Sequence, residues 1–328
     1  MSQEKFLIVK SKAGLGNRIL NLMDSILYAR LSNRKLIVDW SDLIYSDDGS
    51  NVFPKLFTTP KIELTEQIPQ TDSVYPLLWK GNLNRSINDV LRERNEDEPK
   101  IYRSPFQWTK YRIDTKRLNY PYECLVIWYY FAEINKIRRH FKGEYADLKR
   151  QSNEAILRTM LREELIPNQT IQDKVQLFVD NHFDDVTIGV HIRYTDRRNS
   201  YEGFATIVDQ ILSSNPGARI FLATDNQEIE QQFRDNYKNL TTTKKWFPDK
   251  VERLHENWSC PSRFENCVEA LVDMYLLSRC NYLVCDQRST LAYVASLLSK
   301  APQENIFDMT QGSASRRFKS FTRWLDLL

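Results

Sequence analysis

Three short stretches in the second half of the chain place polar side chains where a ligand could use them. They are His191-Ile-Arg193-Tyr-Thr195-Asp196, Thr224-Asp225-Asn226 and Asp286-Gln-Arg-Ser289-Thr290. Each ends or directly follows a run that reads as a strand: 186–193, 219–225 and 282–285. In an open parallel α/β sheet, ligands bind just beyond the carboxyl ends of the strands. Three polar strand ends in one sheet would therefore line a single edge. A solvated strand end is the plainer account of any one of them, and their coincidence is what suggests a site. A pyrophosphate would need positive charge and donors there. Arg193 supplies a planar fork that fits phosphate oxygens. Ser289 and Thr290, at the expected start of a helix, would add hydroxyls and free backbone N–H groups.

Two further features bear on the same chemistry. Asp273 sits inside the apolar run Val268-Glu-Ala-Leu-Val-Asp-Met-Tyr-Leu-Leu277. An unpaired carboxylate buried there would be costly, so a partner is expected. It could accept hydrogen bonds from a guanine edge, or serve as half of an ion pair or as a cap. In the first half, Ala13-Gly-Leu-Gly-Asn-Arg18 joins a strand to a helix in a chain with only 9 glycines. Gly14 and Gly16 would let the backbone approach a ligand, and the helix start at Asn17 favours negative charge. The third glycine of a dinucleotide fingerprint is replaced by Ile19, so a plain tight turn competes. No GxxxxGK[ST] occurs, which argues against a P-loop NTPase, and no Asp-x-Asp occurs, so no metal site is expected.

The elements that must position these residues follow from periodicity. Lys5–Val9 reads as a strand, Asn17–Leu31 as a helix with a broad apolar face, and Lys35–Trp40 as the next strand, opening an α/β domain. Residues 44–122 read as loops and short elements, with Ile87–Glu93 helical; Trp79 and Trp108 there could stack on sugars or fill a core. Cys124–Phe131 reads as a strand, Ala146–Leu161 and Thr170–His182 as helices. The second half alternates strand and helix: helices 203–214, 226–236, Cys267–Arg279 and Thr290–Leu298. Domains are expected at 1–175 and 176–310, with 311–328 a basic, aromatic terminal helix that packs on the body or touches a membrane surface.

Composition narrows the class. A net charge of +3 is too small for a nucleic-acid partner, and 41% hydrophobic with 27% charged residues is ordinary for a globular protein. The five cysteines are irregularly spaced, without a C-x-x-C pair, so free thiols in a reducing cytoplasm fit best. The first residues run straight into the strand at Phe6, and a cytoplasmic location follows as an expectation, with peripheral contact at the inner membrane face as an option.

Taken together and in order, Gly14-Leu-Gly16, Leu36-Ile-Val-Asp-Trp40, Gly189-Val-His-Ile-Arg193, Phe221-Leu-Ala-Thr-Asp225 and Ala270-Leu-Val-Asp-Met-Tyr-Leu-Leu-Ser-Arg-Cys280 resemble the NodZ-type and mammalian α1,6-fucosyltransferases. The resemblance implies a GT-B fold, two Rossmann-like α/β domains whose parallel sheets face a central cleft. It implies metal-independent, inverting transfer of fucose from GDP-fucose, with no cofactor, to a sugar hydroxyl of an oligosaccharide or lipid-linked glycan, as in polysaccharide biosynthesis. His191 and Arg193 would then contact GDP, with Arg193 on the β-phosphate as the leading catalytic residue. Asp273 would meet the guanine and Ser289 a phosphate, with Gly14, Gly16, Asn17 and Thr290 completing the donor site and Asp225 holding its geometry. Thr195 and Asp196 match the mammalian motif, whereas Tyr194 stands where those enzymes carry a second arginine. Glu202, offset by one position from the family's acidic residue, and Asp196 are the candidate bases. A transferase of another GDP-sugar, an idle nucleotide-sugar-binding protein and, more distantly, a dinucleotide oxidoreductase are the competing readings.

Overall fold

The computed structural model describes residues 4–94, 101, 110–129, 133–194, 201–247 and 259–310. Two compact units emerge, one of Met1–Ala13 with Asn17–Pro167, the other of Gly14–Gly16 with Asn168–Leu328.

The first unit holds strands β1 (Phe6–Val9), β2 (Lys35–Val38), β4 (Val74–Tyr75) and β5 (Cys124–Ile127) in the parallel order β2-β1-β5-β4. Every residue of β1 and β5 is buried, as expected for parallel strands covered on both faces. Helix α1 (Leu15–Leu31) packs Ile19, Leu22, Met23 and Ile26 into the core. It starts two residues before the expected Asn17, so Gly16 lies within its first turn. The described residues of 44–122 form short elements and loops, among them α2 (Ile87–Glu93), as read from the sequence. Trp79 is fully buried, and core packing rather than an exposed sugar platform is its observed role; Trp108 lies outside the described residues. The helix expected at Ala146–Leu161 is instead α3 (Asn153–Glu163), preceded by a 3-10 stretch over Gly143–Arg150. Ser152 sets the start, because its hydroxyl accepts the Ala155 N–H. A two-stranded antiparallel pair, β3 (Phe57–Thr58) with β6 (Ile166–Pro167), fastens the end of this unit.

The second unit begins at Asn168, ahead of helix α4 (Gln169–His182) and not within it at residue 175. The helix goes with this unit because it packs against helix α7 (Arg263–Arg279); Ile171 and Val175 are its buried residues. The sheet is wholly parallel in the order β11-β10-β7-β8-β9, from β7 (Thr187–Ile192), β8 (Arg219–Thr224), β9 (Leu240–Thr241), β10 (Tyr282–Cys285) and β11 (Ile306–Asp308). Helices α5 (Tyr201–Ser214), α6 (Gln227–Asn236) and α8 (Thr290–Leu298) alternate with the strands. Central strand β7 is buried along its whole length. One face, Ile188, Val190 and Ile192, packs on Phe204 and Val208 of α5. The other contains Gly189, where an added Cβ would come within 2.9 Å of Cys280 Sγ, so a side chain there would push α7 off the sheet.

Among the described residues no helix is long and apolar enough to cross a membrane. All five cysteines are free thiols. The basic terminal stretch 311–328 lies outside the described residues.

Candidate functional site

The carboxyl edge of the second sheet gathers the three polar strand ends. The register pairs His191 with Ala223 of β8 and with Cys285 of β10, so Arg193, Asp225 and Asp286 leave the sheet at one edge. Side chains alternate along a strand, which puts His191 on the same face as Gly189, toward α7. That helix lies close because Gly189 lacks a side chain. One helical turn separates Leu277, beside Gly189, from Asp273, and two strand residues separate Gly189 from His191. The two spacings are nearly equal, about 6 Å each, which accounts for the electrostatic influence of Asp273 on His191.

His191 is buried. Burial pushes its imidazole down to about 4; the Asp225 carboxylate opposes this, the Arg193 guanidinium reinforces it, and Asp273 and Lys245 act more weakly in opposite senses. The ring is therefore neutral near pH 7, with one donor and one acceptor nitrogen. Its Nδ1 has no partner among the described residues. Arg193 follows directly, half-buried. Asp225 Oδ1 accepts the backbone N–H of Tyr194 at 2.7 Å, fixing the backbone just beyond Arg193.

Asp273 has the partners its burial demands. Lys245 Nζ forms an ion pair with its Oδ2, both side chains under a tenth exposed, and Thr243 Oγ1 donates to its Oδ1 at 2.6 Å. Lys245 Nζ also stands 3.5 Å from the Thr224 carbonyl at the end of β8. No sequence pattern marks Lys245 or Thr243. The only signal is Asp273 itself, a carboxylate in an apolar run that requires a partner. Glu269, one turn earlier on α7, accepts the Trp246 N–H at 3.4 Å, and burial raises its carboxyl above the usual range.

The turn after β10 is closed by its own charges. Arg288 donates through its backbone N–H and its guanidinium to the buried carboxylate of Asp286, at 2.5–2.9 Å. This leads into α8, whose N-cap is Ser289. Ser86, Ser152, Asn168, Asn226 and Ser262 all cap their helices by accepting an N–H three residues on. Ser289 does not. Its Oγ is buried and unpartnered among the described residues, at a helix start whose first N–H groups are free of intrahelical acceptors. Gly16 packs against the same place. A Cβ there would stand 2.5 Å from the Leu291 nitrogen and closer still to the Thr290 carbonyl carbon, so only glycine permits this approach.

The structure thus brings together His191, Arg193, Asp225, Asp273, Ser289 and Thr290 in one unit, with Gly14 and Gly16 grouped alongside them. Asn17 falls with the first unit. Glu202 is exposed on the first turn of α5. Thr195 and Asp196 lie outside the described residues.

A family model described as Nodulation protein Z (NodZ) matches residues 148–316, just over half of the chain and all of the strand ends described above. The nodulation protein Z of Azorhizobium caulinodans is 26% identical over 308 residues, 84% of each chain. Among solved structures, NodZ alpha-1,6-fucosyltransferase soaked with GDP-fucose superposes with a TM-score of 0.62 at 20% identity, covering 90% of this chain and 93% of that one. A point mutant of FUT1 from Arabidopsis thaliana, in complex with GDP, gives a TM-score of 0.56 at 15% identity, over 95% of this chain and 72% of its own. At these identities the superpositions speak to the fold, an α/β GT-B architecture built on parallel sheets.

Proposed function

The chain belongs to the nodulation protein Z (NodZ) family, and on that premise we propose that it transfers fucose from GDP-fucose to a sugar hydroxyl. The observation that carries this reading is a pair of buried polar groups without protein partners among the described residues, His191 Nδ1 and Ser289 Oγ, on the sheet edge that also presents Arg193. A phosphate-bearing ligand seated there would satisfy both. The family's NodZ enzyme, soaked with GDP-fucose, supplies the identity of the ligand.

Each residue has a physical task in this reading. Arg193 meets the negative charge that develops on the departing diphosphate, where a preorganised cation lowers the barrier most. Neutral His191 offers a hydrogen bond without adding a charge. Ser289 and the free N–H groups of Thr290 and Leu291 receive phosphate oxygens. The Asp273 carboxylate accepts from the guanine edge. Glu202 or Asp196 takes the proton of the acceptor hydroxyl. Transfer inverts the anomeric centre and uses no metal. The acceptor is an oligosaccharide or lipid-linked glycan, with an α1,6 linkage by analogy to NodZ.

The test is GDP release from a panel of GDP-sugars, followed by GDP-fucose on a glycan array. Fucose incorporation that vanishes in Arg193→Ala, with folding intact, supports the reading. Near-native turnover in that variant, or preference for another GDP-sugar, overturns it.

A further inference from the structure

We infer that Lys245 is the residue by which this protein distinguishes guanine from adenine, acting beside Asp273 as one half of a donor–acceptor pair that reads the purine edge. The inference rests on the GDP-sugar reading above and adds a residue to it.

Both side chains keep unspent hydrogen-bonding capacity. An ionised carboxylate has two oxygens with about four acceptor positions, and an ammonium has three donors. Asp273 Oδ1 receives Thr243 Oγ1, and Oδ2 receives Lys245 Nζ. Each oxygen retains a lone pair. Lys245 gives one hydrogen to Asp273 and a second, weakly, to the Thr224 carbonyl at 3.5 Å, leaving a third. The pair is buried to below a tenth exposed on both sides, where charged hydrogen bonds discriminate most strongly.

Its placement adds to this. Thr224 is the last residue of β8, so Lys245 stands at the carboxyl edge, next to the strand end that carries His191 and Arg193. The ammonium is near enough to His191 to depress its protonation, and Asp273 is near enough to favour it. A nucleotide whose phosphates meet Arg193 and Ser289 has its base to place along the same edge.

The chemistry of the two purines then decides. Guanine presents, side by side, an O6 acceptor, an N1–H donor and an N2 amino donor. An ammonium beside a carboxylate is the complement: Lys245 to O6, Asp273 to N1–H and N2–H. Adenine reverses the first two positions, setting its amino group against the ammonium and its N1 lone pair against the carboxylate. Such mismatched buried groups reject a ligand more strongly than a lost contact does. A purely structural ion pair would neutralise Asp273 and leave base preference untouched.

The experiment measures the affinities of GDP, IDP and ADP by calorimetry for the full chain and for Lys245→Met. IDP keeps O6 and N1–H but lacks the amino group that only Asp273 would read. The expected result is a loss of about tenfold to a hundredfold for GDP and IDP alike, with ADP unchanged or improved, so that the guanine preference shrinks while the GDP-to-IDP ratio holds. Lys245→Arg should restore part of the preference. Should Lys245→Met fail to fold, Lys245→Met combined with Asp273→Asn, which removes both buried charges together, carries the same GDP-to-ADP comparison. An equal loss for all three nucleotides, or an unchanged GDP-to-ADP ratio, overturns the inference and leaves the donor reading standing. A native protein with no preference for GDP over ADP overturns the donor reading, and this inference with it.

Discussion

Asp225 and Tyr194 are joined by a 2.7 Å hydrogen bond from the Tyr194 backbone N–H to the carboxylate. It ties the residue just beyond β8 to the one immediately after Arg193, and so fixes the backbone that carries Arg193. Asp225→Ala should cost about 1–2 kcal/mol of stability and at least tenfold in transfer rate, mostly in kcat. Asp225→Asn keeps an acceptor oxygen and should fall between that variant and the native protein. Equal activity for alanine and native protein would show that the bond positions nothing.

Ser289 gives the opposite signature. Its hydroxyl neither caps α8 nor finds another partner among the described residues. Ser289→Ala should therefore leave the thermal midpoint of the ligand-free protein unchanged or slightly raised, while weakening GDP binding by about tenfold. Differential scanning fluorimetry with and without GDP reads both effects at once.

Gly16→Ala should damage both stability and binding. The added methyl would meet backbone atoms of Thr290 and Leu291 at 2.5 Å or less, and backbone cannot rotate aside as a side chain can. Overpacking of this kind costs about 1–3 kcal/mol. A thermal midpoint within a degree of native, with GDP affinity intact, would contradict the packing described here.

The stability profile with pH should carry two opposed contributions. Burial lifts the Asp24 carboxyl to about 8, although the Glu133 backbone N–H donated to it pulls the other way. The folded state then keeps a proton that the unfolded chain loses above its ordinary value of 3.8, so this contribution falls as pH rises from 4 to 8. His191 has the reverse sign. Its folded value of about 4 lies below the ordinary 6.5, so stability is lost as pH falls through that window. Asp24→Asn should flatten the decline between pH 6.5 and 8 and stabilise the protein there by a few kcal/mol, on the order set by 1.36 kcal/mol per pH unit. Denaturant titrations at pH 5, 6.5 and 8 separate the two.

Much of the fold is legible in the sequence where a local pattern coincides with a tertiary role. The run Thr187–Ile192 reads as a strand because Ile188, Val190 and Ile192 alternate onto one face, and the structure buries that face and the other one too. Helix α2 is readable because Ser86 caps it and Ile87, Val90 and Leu91 repeat at helical spacing. Strands β4, β9 and β11 escape such a reading, since two or three residues are too few for periodicity to register. Asp273 announces that it needs a partner but not which one. Lys245 lies 28 residues away in a loop with no repeating pattern, and only the approach of that loop to α7 pairs them. Gly16 stands out in the sequence as half of a Gly-x-Gly. Its actual constraint, a helix start pressed against it, comes from residues more than 270 positions later.

That contact also bears on how such a chain can be recombined. Gly14–Gly16 groups with the second unit although the residues on either side of it group with the first. The second unit is therefore not one contiguous, transferable cassette. Splicing residues 168–310 of a relative into this chain would set a foreign helix start against a native tripeptide, at a spacing that tolerates no Cβ. An exchange of this unit between family members would have to move the tripeptide and the distant helix together, two separate genetic segments that pack as one part.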